Sequence, residues 1–365
     1  MKKKIAISFV FGSLLSVVTL YLAFRHVPLS ELIAYLGKID YWWLLPSEVL
    51  VLLTFILRVI RWQIILKDAD AVPFWQAFHP LMIGFMMNCI LPMRSGEIAR
   101  PALLKKERAV PLITGIATVA AERVFDIILL LLLFLWTSST IFSRPDLDIP
   151  IPISGLHLNN QNLQSALHLI MWPGVVLLLV IVLLTIGAIR DLMKKAILVC
   201  AHRLEFAGSK IHGGAEKLAQ FAIRLIDNFT SGMTLVLYPR RIGACFGLSM
   251  LIWTLTAFSY YVFALGCPGI ELSMGEMTTV MVVVCISIAL PSVPGFWGLW
   301  EAGGIFALSL FGVANKDAAG FTLMNHAVQM FPVIIVGMIS ALITSVNILN
   351  LSRIAKSVAP PQPLA

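Results

Sequence analysis

The sequence predicts an all-α polytopic membrane protein of about six full spans plus two re-entrant helical hairpins. Of its 365 residues, 59% are hydrophobic and only 13% are charged, about half the ~25% charged fraction of an average soluble domain. The apolar residues form runs of about 18 to 25, the length at which a helix crosses ~30 Å of hydrocarbon. Such runs satisfy their backbone polar groups internally as helices, so a β-barrel is not favoured.

Six apolar stretches are long enough to be full spans, and they cover residues 5–24, 42–66, 112–137, 166–189, 242–265 and 319–347. The first follows Met1-Lys2-Lys3-Lys4, as the apolar part of a signal peptide would. No small-x-small cleavage site closes it, so we interpret it as an uncleaved span. We expect a multi-pass protein of the inner or plasma membrane with both termini in the cytoplasm.

A seventh apolar segment, residues 74–91, does not fit as a full span. By the count of spans, residues 67–73 lie in the cytoplasm. The stretch 93–108 contains five Lys and Arg residues, and basic loops concentrate on the cytoplasmic side. Both flanks of the segment therefore lie on the same side, which predicts a re-entrant hairpin.

A second interrupted segment, residues 276–312, starts and finishes outside by the same count. Both breaks contain the pattern LPxxxG, beginning at Leu91 and at Leu290. Related breaks entered from opposite sides are typical of inverted-topology repeats in transporters. Chance and the preference of loops for Pro and Gly also produce such short matches. The residues predicted to form the turns are Pro92, Gly96, Pro291, Pro294, Gly295 and Gly298.

These features predict one transmembrane domain over residues 1–350, in which 42–137 and 242–347 form the inverted repeats. Segment 190–241 carries nine Lys and Arg residues against four acids. We interpret it as a basic amphipathic segment lying along the cytoplasmic surface of the membrane. Residues 351–365 form a short tail.

The net charge of +8 is explained by basic loops beside apolar spans. This placement predicts contact with anionic lipids as partners and no nucleic acid. The five cysteines lie far apart without CxxC or Cys/His spacing, so we expect no metal site, no disulfide framework and no cofactor. Both a homo-oligomer and a complex with a lipid-modifying enzyme are compatible with the sequence.

Ionisable residues inside apolar segments are the candidates for function, because a charge near the bilayer centre costs about 2.5–3.5 kcal/mol on the insertion scale. Arg58 and Arg61 stand three residues apart on one helix face. They either extend to the cytoplasmic interface or contact a lipid head group. Arg94, Glu97 and Arg100 share a face if Gly96 opens a helix. Guanidinium groups beside a helix N-terminus form an anion site, although an exposed basic loop would have the same sequence.

Glu122, Arg123 and Asp126 lie about one third of the way through a predicted span. The two carboxylates are one turn apart and project to the same side. They form either a structural ion-pair network or a site for substrate or proton coupling. In the second half, Glu301 follows the broken backbone, and His326 in the last span is a polar partner for it. A lone intramembrane histidine is often only a satisfied hydrogen-bonding group.

Four motifs follow one another along the chain. They are Arg58-x-x-Arg61-Trp62, Asn88-x-x-Leu91-Pro92-x-Arg94-x-Gly96-Glu97-x-x-Arg100, Glu122-Arg123-x-x-Asp126 and Pro291-x-x-Pro294-Gly295-x-x-Gly298-x-x-Glu301. In this order they resemble the lysylphosphatidylglycerol synthase transmembrane family, which is also described as flippase-like. The resemblance covers essentially all of residues 5–347.

The resemblance implies a lipid flippase or transporter that moves an anionic, aminoacylated or polyprenyl-phosphate-linked lipid between leaflets. The resemblance also implies a set of substrate-binding residues. They are Arg58, Arg61, Asn88, Arg94, Glu97, Arg100, Glu122, Arg123, Asp126, Glu301 and His326. The synthases of the family carry a soluble aminoacyl-transferase domain after the membrane part, whereas this sequence ends soon after its last predicted span. We therefore expect no lysyl transfer and no enzyme activity.

Two other functions stay open on the sequence. Some archaeal relatives are placed in protein glycosylation, which suggests an integral membrane glycosyltransferase that uses a polyprenyl-phosphate sugar. Its acid or base would be Glu97, Glu122 or Asp126. The third function is that of a non-catalytic membrane partner of a lipid-modifying enzyme, which would move no lipid by itself.

Overall fold

The protein is described by a computed structural model over residues 14–346. Residues 15, 26, 67–70, 92–93, 109, 143–147, 151–156, 290–293 and most of 160–186 and 204–237 are not described. Two predicted turn residues, Pro92 and Pro291, thus lie outside the described residues. So do most of the predicted span 166–189 and the whole tail 351–365.

The described chain is almost entirely helical. The helices are α1 (Ser16–Phe24), α2 (Leu29–Leu36), α3 (Leu44–Leu66), α4 (Phe74–Ile90), α5 (Gly96–Arg108), α6 (Leu112–Phe142), α7 (Gly187–Arg203), α8 (Pro239–Ala264), α9 (Met274–Ser287), α10 (Leu299–Ser309) and α11 (Asn315–Ile343). Short 3₁₀ turns at Tyr41–Trp43 and Pro294–Phe296 precede α3 and α10. A helical membrane protein is thereby confirmed.

Three described helices, Tyr41–Leu66, Pro239–Ala264 and Asn315–Ile343, are long and apolar enough to cross a membrane. They coincide with three of the predicted spans. The pair α1 and α2, bent by 81°, would add a fourth if it forms one broken span. Helix α6, with 31 residues, contains the predicted span 112–137 and continues five residues beyond it. The total of six spans stays a prediction.

Both predicted breaks separate two packed helices. Helix α4 packs against α5 across the first break, and α9 packs against α10 across the second. The stretch 93–108, predicted as a loop, is mostly helix α5. Its charges are distributed as a helix dipole prefers, with Glu97 in the first turn and three basic residues in the last turn.

Close backbone approaches hold the first pair of helices together. A Cβ atom at Gly96 would lie 1.8 Å from the carbonyl oxygen of Gly84, so α4 and α5 touch backbone to backbone. Helix α11 approaches α4 similarly, because a Cβ at Gly337 would lie 2.4 Å from the Cβ of Met86. Small residues at such contacts are typical of membrane helix packing.

Helix α3 packs along α8, and α8 also contributes residues to the candidate site described below. The predicted outer loop 138–165 contains an unpredicted antiparallel pair of strands, β1 (Asp148–Pro150) and β2 (His157–Asn159). Helix α7 begins inside the predicted span 166–189 and continues into the basic segment 190–241.

Candidate functional site

A buried group of four charged residues lies where α3, α5 and α6 pack together. These residues, which we call the inner layer, are Arg61, Arg100, Glu122 and Asp126, each no more than 3% exposed. Arg100 binds Glu122 with both terminal nitrogens, at 2.6 and 3.1 Å. Arg61 donates to Asp126 at 2.8 and 3.4 Å. The inner layer is therefore a network of buried ion pairs.

Aromatic and hydroxyl groups also contact the residues of the inner layer. The guanidinium of Arg100 stands 3.6 Å from the ring centre of Trp62, a short cation–π contact. On α8, Ser249 accepts a hydrogen bond from Arg61 at 2.7 Å, and the indole of Trp253 donates to Asp126 at 3.3 Å.

Sequence reasoning missed the two α8 residues. Ser249 and Trp253 stand four residues apart on a helix that is otherwise mostly apolar, and this spacing places them on one face. The sequence did offer an indication. A hydroxyl group and an indole N–H on one face of a predicted span suggest that this face packs against buried polar residues.

A second group of charged residues, the outer layer, covers the inner one. It contains Arg58, Arg94, Glu97 and Arg123. The side chains of Glu97 and Arg123 are 31% and 32% exposed and stand 3.6 Å apart. Arg58 is 12% exposed and reaches Asp126 only at 3.9 Å. The outer layer is therefore more accessible than the inner layer.

Positive charge is in excess in the combined cluster. Among the described residues, the two layers bring five arginines against three carboxylates. The Nε atoms of Arg58, Arg61, Arg100 and Arg123 are buried without a hydrogen-bond partner in the described structure. Buried donors normally have an acceptor, and the more exposed side chains of Arg58 and Arg123 are the better placed of the four to bind an anionic oxygen ligand. Arg61, at 1% exposed, does not extend to the interface.

The first break is shaped by Asn88 and Gly96. The side-chain oxygen of Asn88 accepts a hydrogen bond of 2.8 Å from the backbone N–H of Gly96, where α5 begins. Glu97 and Arg100 lie on this helix as the spacing predicts. Arg94 precedes it with a φ of +48°, so it does not share their helical face.

The two breaks meet each other. The guanidinium of Arg94 donates a hydrogen bond of 2.8 Å to the carbonyl oxygen of Ile288 and stands 5.6 Å from the ring centre of Phe296. A Cβ at Gly295, whose φ is +70°, would lie 3.2 Å from the carbonyl oxygen of Cys89. The turns that share the LPxxxG pattern are therefore in contact.

A separate polar pair lies in the second half of the chain. Nδ1 of His326 stands 2.6 Å from Glu301, whose other oxygen accepts a hydrogen bond from the backbone N–H of Gly298. Gly298 has a φ of +92°, which favours glycine. Thus Glu301, Gly298 and His326 come together at the start of α10, apart from the arginines.

Comparisons with known proteins agree with the motifs. The pattern of the family described as Lysylphosphatidylglycerol synthase TM region matches residues 9–337. Glycosyltransferase AglD of Haloferax volcanii is 24% identical over 358 residues, which cover 94% of this chain and 55% of that protein. The chain thus spans about half the length of this curated relative.

Two further relatives are named as membrane proteins. A UPF0104 membrane protein of Methanocaldococcus jannaschii is 24% identical over 72% of this chain and 96% of its own length. A UPF0104 membrane protein of Methanothermobacter thermautotrophicus is 24% identical over 79% of each chain. The match of the family pattern spans the arginine cluster, both breaks and the Glu301 pair, and the chain belongs to the lysylphosphatidylglycerol synthase transmembrane family.

Proposed function

We propose that the protein moves a lipid with an anionic head group between the two leaflets of the membrane. The single observation that carries this proposal is the division of the arginine cluster into two layers. The inner layer is almost fully buried, whereas the outer layer holds the arginines whose side chains are accessible enough to meet a lipid head group.

The chemistry of the outer layer favours a phosphate group. Arginine offers a planar set of donors that matches phosphate oxygens. The excess of five arginines over three carboxylates gives such an anion a favourable electrostatic environment. The acyl or polyprenyl chains would stay in the bilayer, while the head group crosses beside Arg58, Arg94 and Arg123.

The contact between the two breaks suggests how the path opens and closes. In our proposal the breaks are the tips of re-entrant hairpins that belong to inverted repeats, and the head group passes between them. Irregular backbone at membrane depth is tolerated when it is buried in protein or lines a wet cavity. Separation of Arg94 from Ile288 would open this path.

The test is a dithionite-quench assay in proteoliposomes. Wild-type protein is compared with Arg123→Gln and Arg58→Gln, using lipids with labelled anionic, zwitterionic or polyprenyl-phosphate head groups. Arg240→Gln is the matched control, because it removes an exposed arginine at the start of α8. We expect wild type and the control to move the anionic or polyprenyl-phosphate lipids, and the two site variants to lose at least tenfold in rate.

A second candidate function is supported by one comparison. A relative with the printed name glycosyltransferase matches 94% of this chain, and Glu97 is a partly exposed carboxylate beside Arg123. A transferase that uses a polyprenyl-phosphate sugar needs an acid or base near the donor phosphate.

If folded wild type moves no lipid, the translocation proposal is wrong. Incubation with a polyprenyl-phosphate sugar donor and membrane acceptors, followed by mass spectrometry, then separates the two remaining functions. Sugar transfer that Glu97→Gln abolishes would identify a transferase. The absence of both activities would leave a non-catalytic partner of a lipid-modifying enzyme.

A further inference from the structure

The pair formed by Glu301 and His326 is almost completely shielded from solvent. Their side chains are 0% and 1% exposed, and the atoms that join them stand 2.6 Å apart. Because the second carboxylate oxygen of Glu301 is bonded to the N–H of Gly298, both oxygens have partners. Among the described residues, no lysine or arginine forms a salt bridge with Glu301.

Two tryptophans enclose the imidazole ring of His326. Trp300 stacks on it at 4.5 Å with an interplanar angle of 4°, and Trp297 stands at 4.4 Å with an angle of 46°. The Nε2 atom of His326 is buried and has no hydrogen-bond partner in the described structure. One ring nitrogen is therefore used by Glu301, while the other is available to bind a proton.

Further buried polar atoms without partners lie on the two helices that carry the pair. Trp300 Nε1, Asn325 Oδ1 and Thr322 Oγ1 are buried without partners in the described part of the chain. Thr322, Asn325 and His326 share one face of α11 by their spacing. Buried polar atoms of this kind commonly bind ordered water.

The neighbouring titratable groups do not compete for a proton near neutral pH. Tyr260 of α8 stacks on Trp300 at 6.4 Å, and Cys285 of α9 lies near Tyr260. Cys89 of α4 has its carbonyl against Gly295, and the ring of Tyr35 of α2 contacts Gly320 of α11. Tyrosine and cysteine ordinarily keep their protons at pH 7.

Charged groups on the packed elements have other contacts. Arg94, which faces Phe296 at the second break, donates a hydrogen bond to the carbonyl oxygen of Ile288. Arg58 of α3 lies 3.9 Å from Asp126 and faces the ring of Trp253. Lys316 and Asp317 are in the first turn of α11, about 15 and about 14 Å along the axis from His326. Helix α1 contacts the second break at Ser16 and Gly298. Neither of these residues carries a charge.

Charge balance favours proton uptake by the pair. An ionised Glu301 with a neutral His326 carries one negative charge in a buried, mostly apolar site. A proton added at Nε2 gives an imidazolium beside a carboxylate, with no net charge. Burial disfavours an uncompensated charge more strongly than a paired one.

We propose that Glu301 and His326 form a proton-binding site and that the protein couples lipid movement to the movement of one proton. The proton-binding part stands on the geometry of the pair, whereas the coupling part rests on the proposed lipid translocation. The pair is suited to coupling because Glu301 holds the backbone of Gly298 at the second break, which contacts α4 through its 3₁₀ turn.

Proton binding is tested without lipid transport, by tryptophan fluorescence between about pH 5 and pH 9. A protonated imidazole quenches an indole stacked on it, so binding is visible through Trp297 and Trp300. His79 also stacks on a tryptophan, Trp75, at 5.9 Å. The titrations are therefore made in a His79→Gln background, with and without His326→Gln or Glu301→Gln.

We expect a pH-dependent change of fluorescence in the background protein that His326→Gln abolishes and Glu301→Gln alters, because the carboxylate of Glu301 is in contact with the imidazole ring. No titration in the background protein, or one that persists in His326→Gln, would overturn the proton site. Far-ultraviolet circular dichroism and thermal unfolding verify that each variant is folded.

Coupling is tested in proteoliposomes with a pH difference of one unit across the membrane. If one proton accompanies each lipid, wild type should establish about a tenfold asymmetry of labelled lipid between leaflets. His326→Gln, which removes the proton-binding nitrogen, should establish no asymmetry. Lipid movement without any asymmetry in wild type overturns the coupling, whereas a proton titration without any lipid movement overturns only the proposed translocation.

Discussion

The guanidinium of Arg94 donates a hydrogen bond to the carbonyl oxygen of Ile288, 2.8 Å away and 194 residues later in the sequence. Ile288 follows the last turn of α9, so the bond connects the turn before α5 to the end of the helix that precedes the second break. It is a charge-assisted contact to a carbonyl freed by the end of a helix.

Replacement of Arg94 with alanine should loosen the contact between the breaks. A hydrogen bond to a charged group contributes about 1.5–3 kcal/mol, which corresponds to about a tenfold or larger increase in the open population. The measurement is the rate of maleimide labelling of the half-buried Cys89 and Cys285 in a Cys200→Ser background. Arg240→Gln is the control, and equal labelling rates in both variants would contradict the prediction.

Removal of Arg61 should strongly destabilise the protein. Loss of one partner from a buried ion pair typically costs about 3–5 kcal/mol, because the other charge stays buried and unpaired. After Arg61→Leu, Asp126 keeps only its longer contacts with Arg123 at 3.3 Å and Arg58 at 3.9 Å, so Arg61→Leu combined with Asp126→Asn should lose less stability than the sum of the two single effects. Unfolding in mixed detergent micelles measures both. A double variant that loses the sum of the two single effects would contradict the proposed pairing.

The change of Arg100 to lysine should destabilise the protein although the charge is kept. Lysine cannot reproduce the two bonds to Glu122 or the planar contact with Trp62, so we expect a loss of about 2 kcal/mol. The matched control is Lys105→Arg on the exposed side of α5, which should stay within about 0.5 kcal/mol of wild type. Thermal unfolding in one detergent checks both variants.

Alanine at Gly96 should prevent α4 and α5 from packing. Its Cβ would lie 1.8 Å from the carbonyl oxygen of Gly84, which is backbone and has no rotamer to change. A Cβ atom at Gly243 on α8 would meet nothing within 4 Å among the described residues, so Gly243→Ala should be neutral or stabilise by up to about 1 kcal/mol. Size-exclusion chromatography and thermal unfolding compare the two. Equal stability would contradict the close approach.

The lengths of the apolar segments and the positions of the two breaks were predictable from the sequence, because they depend on local composition. Residues 93–108 were predicted as a loop because their charge content is that of a loop. In the structure most of them form α5. The helix is supported by the pairing of Arg100 with Glu122 on α6, and that pairing exists only after the helices assemble. The distribution of acidic and basic residues along α5 was the local indication of a helix.

The candidate site was only partly predictable for the same reason. The spacing of Glu122 and Asp126 places both carboxylates on one side of α6. Which arginine pairs with each carboxylate depends on how α3 and α5 lie against that helix. Sequence spacing therefore found the members of the cluster without separating the inner layer from the outer one.

The order of the inner layer along the chain has a consequence for membrane insertion. Arg61 and Arg100 are synthesised before Glu122 and Asp126, the residues they neutralise. When the ribosome delivers α6 to the membrane, the cationic partners of both its buried carboxylates have already been made. If α6 is the predicted span, it enters the bilayer beside α3 and α5 rather than alone, and assembly of the arginine cluster assists the biogenesis of the helix that completes it.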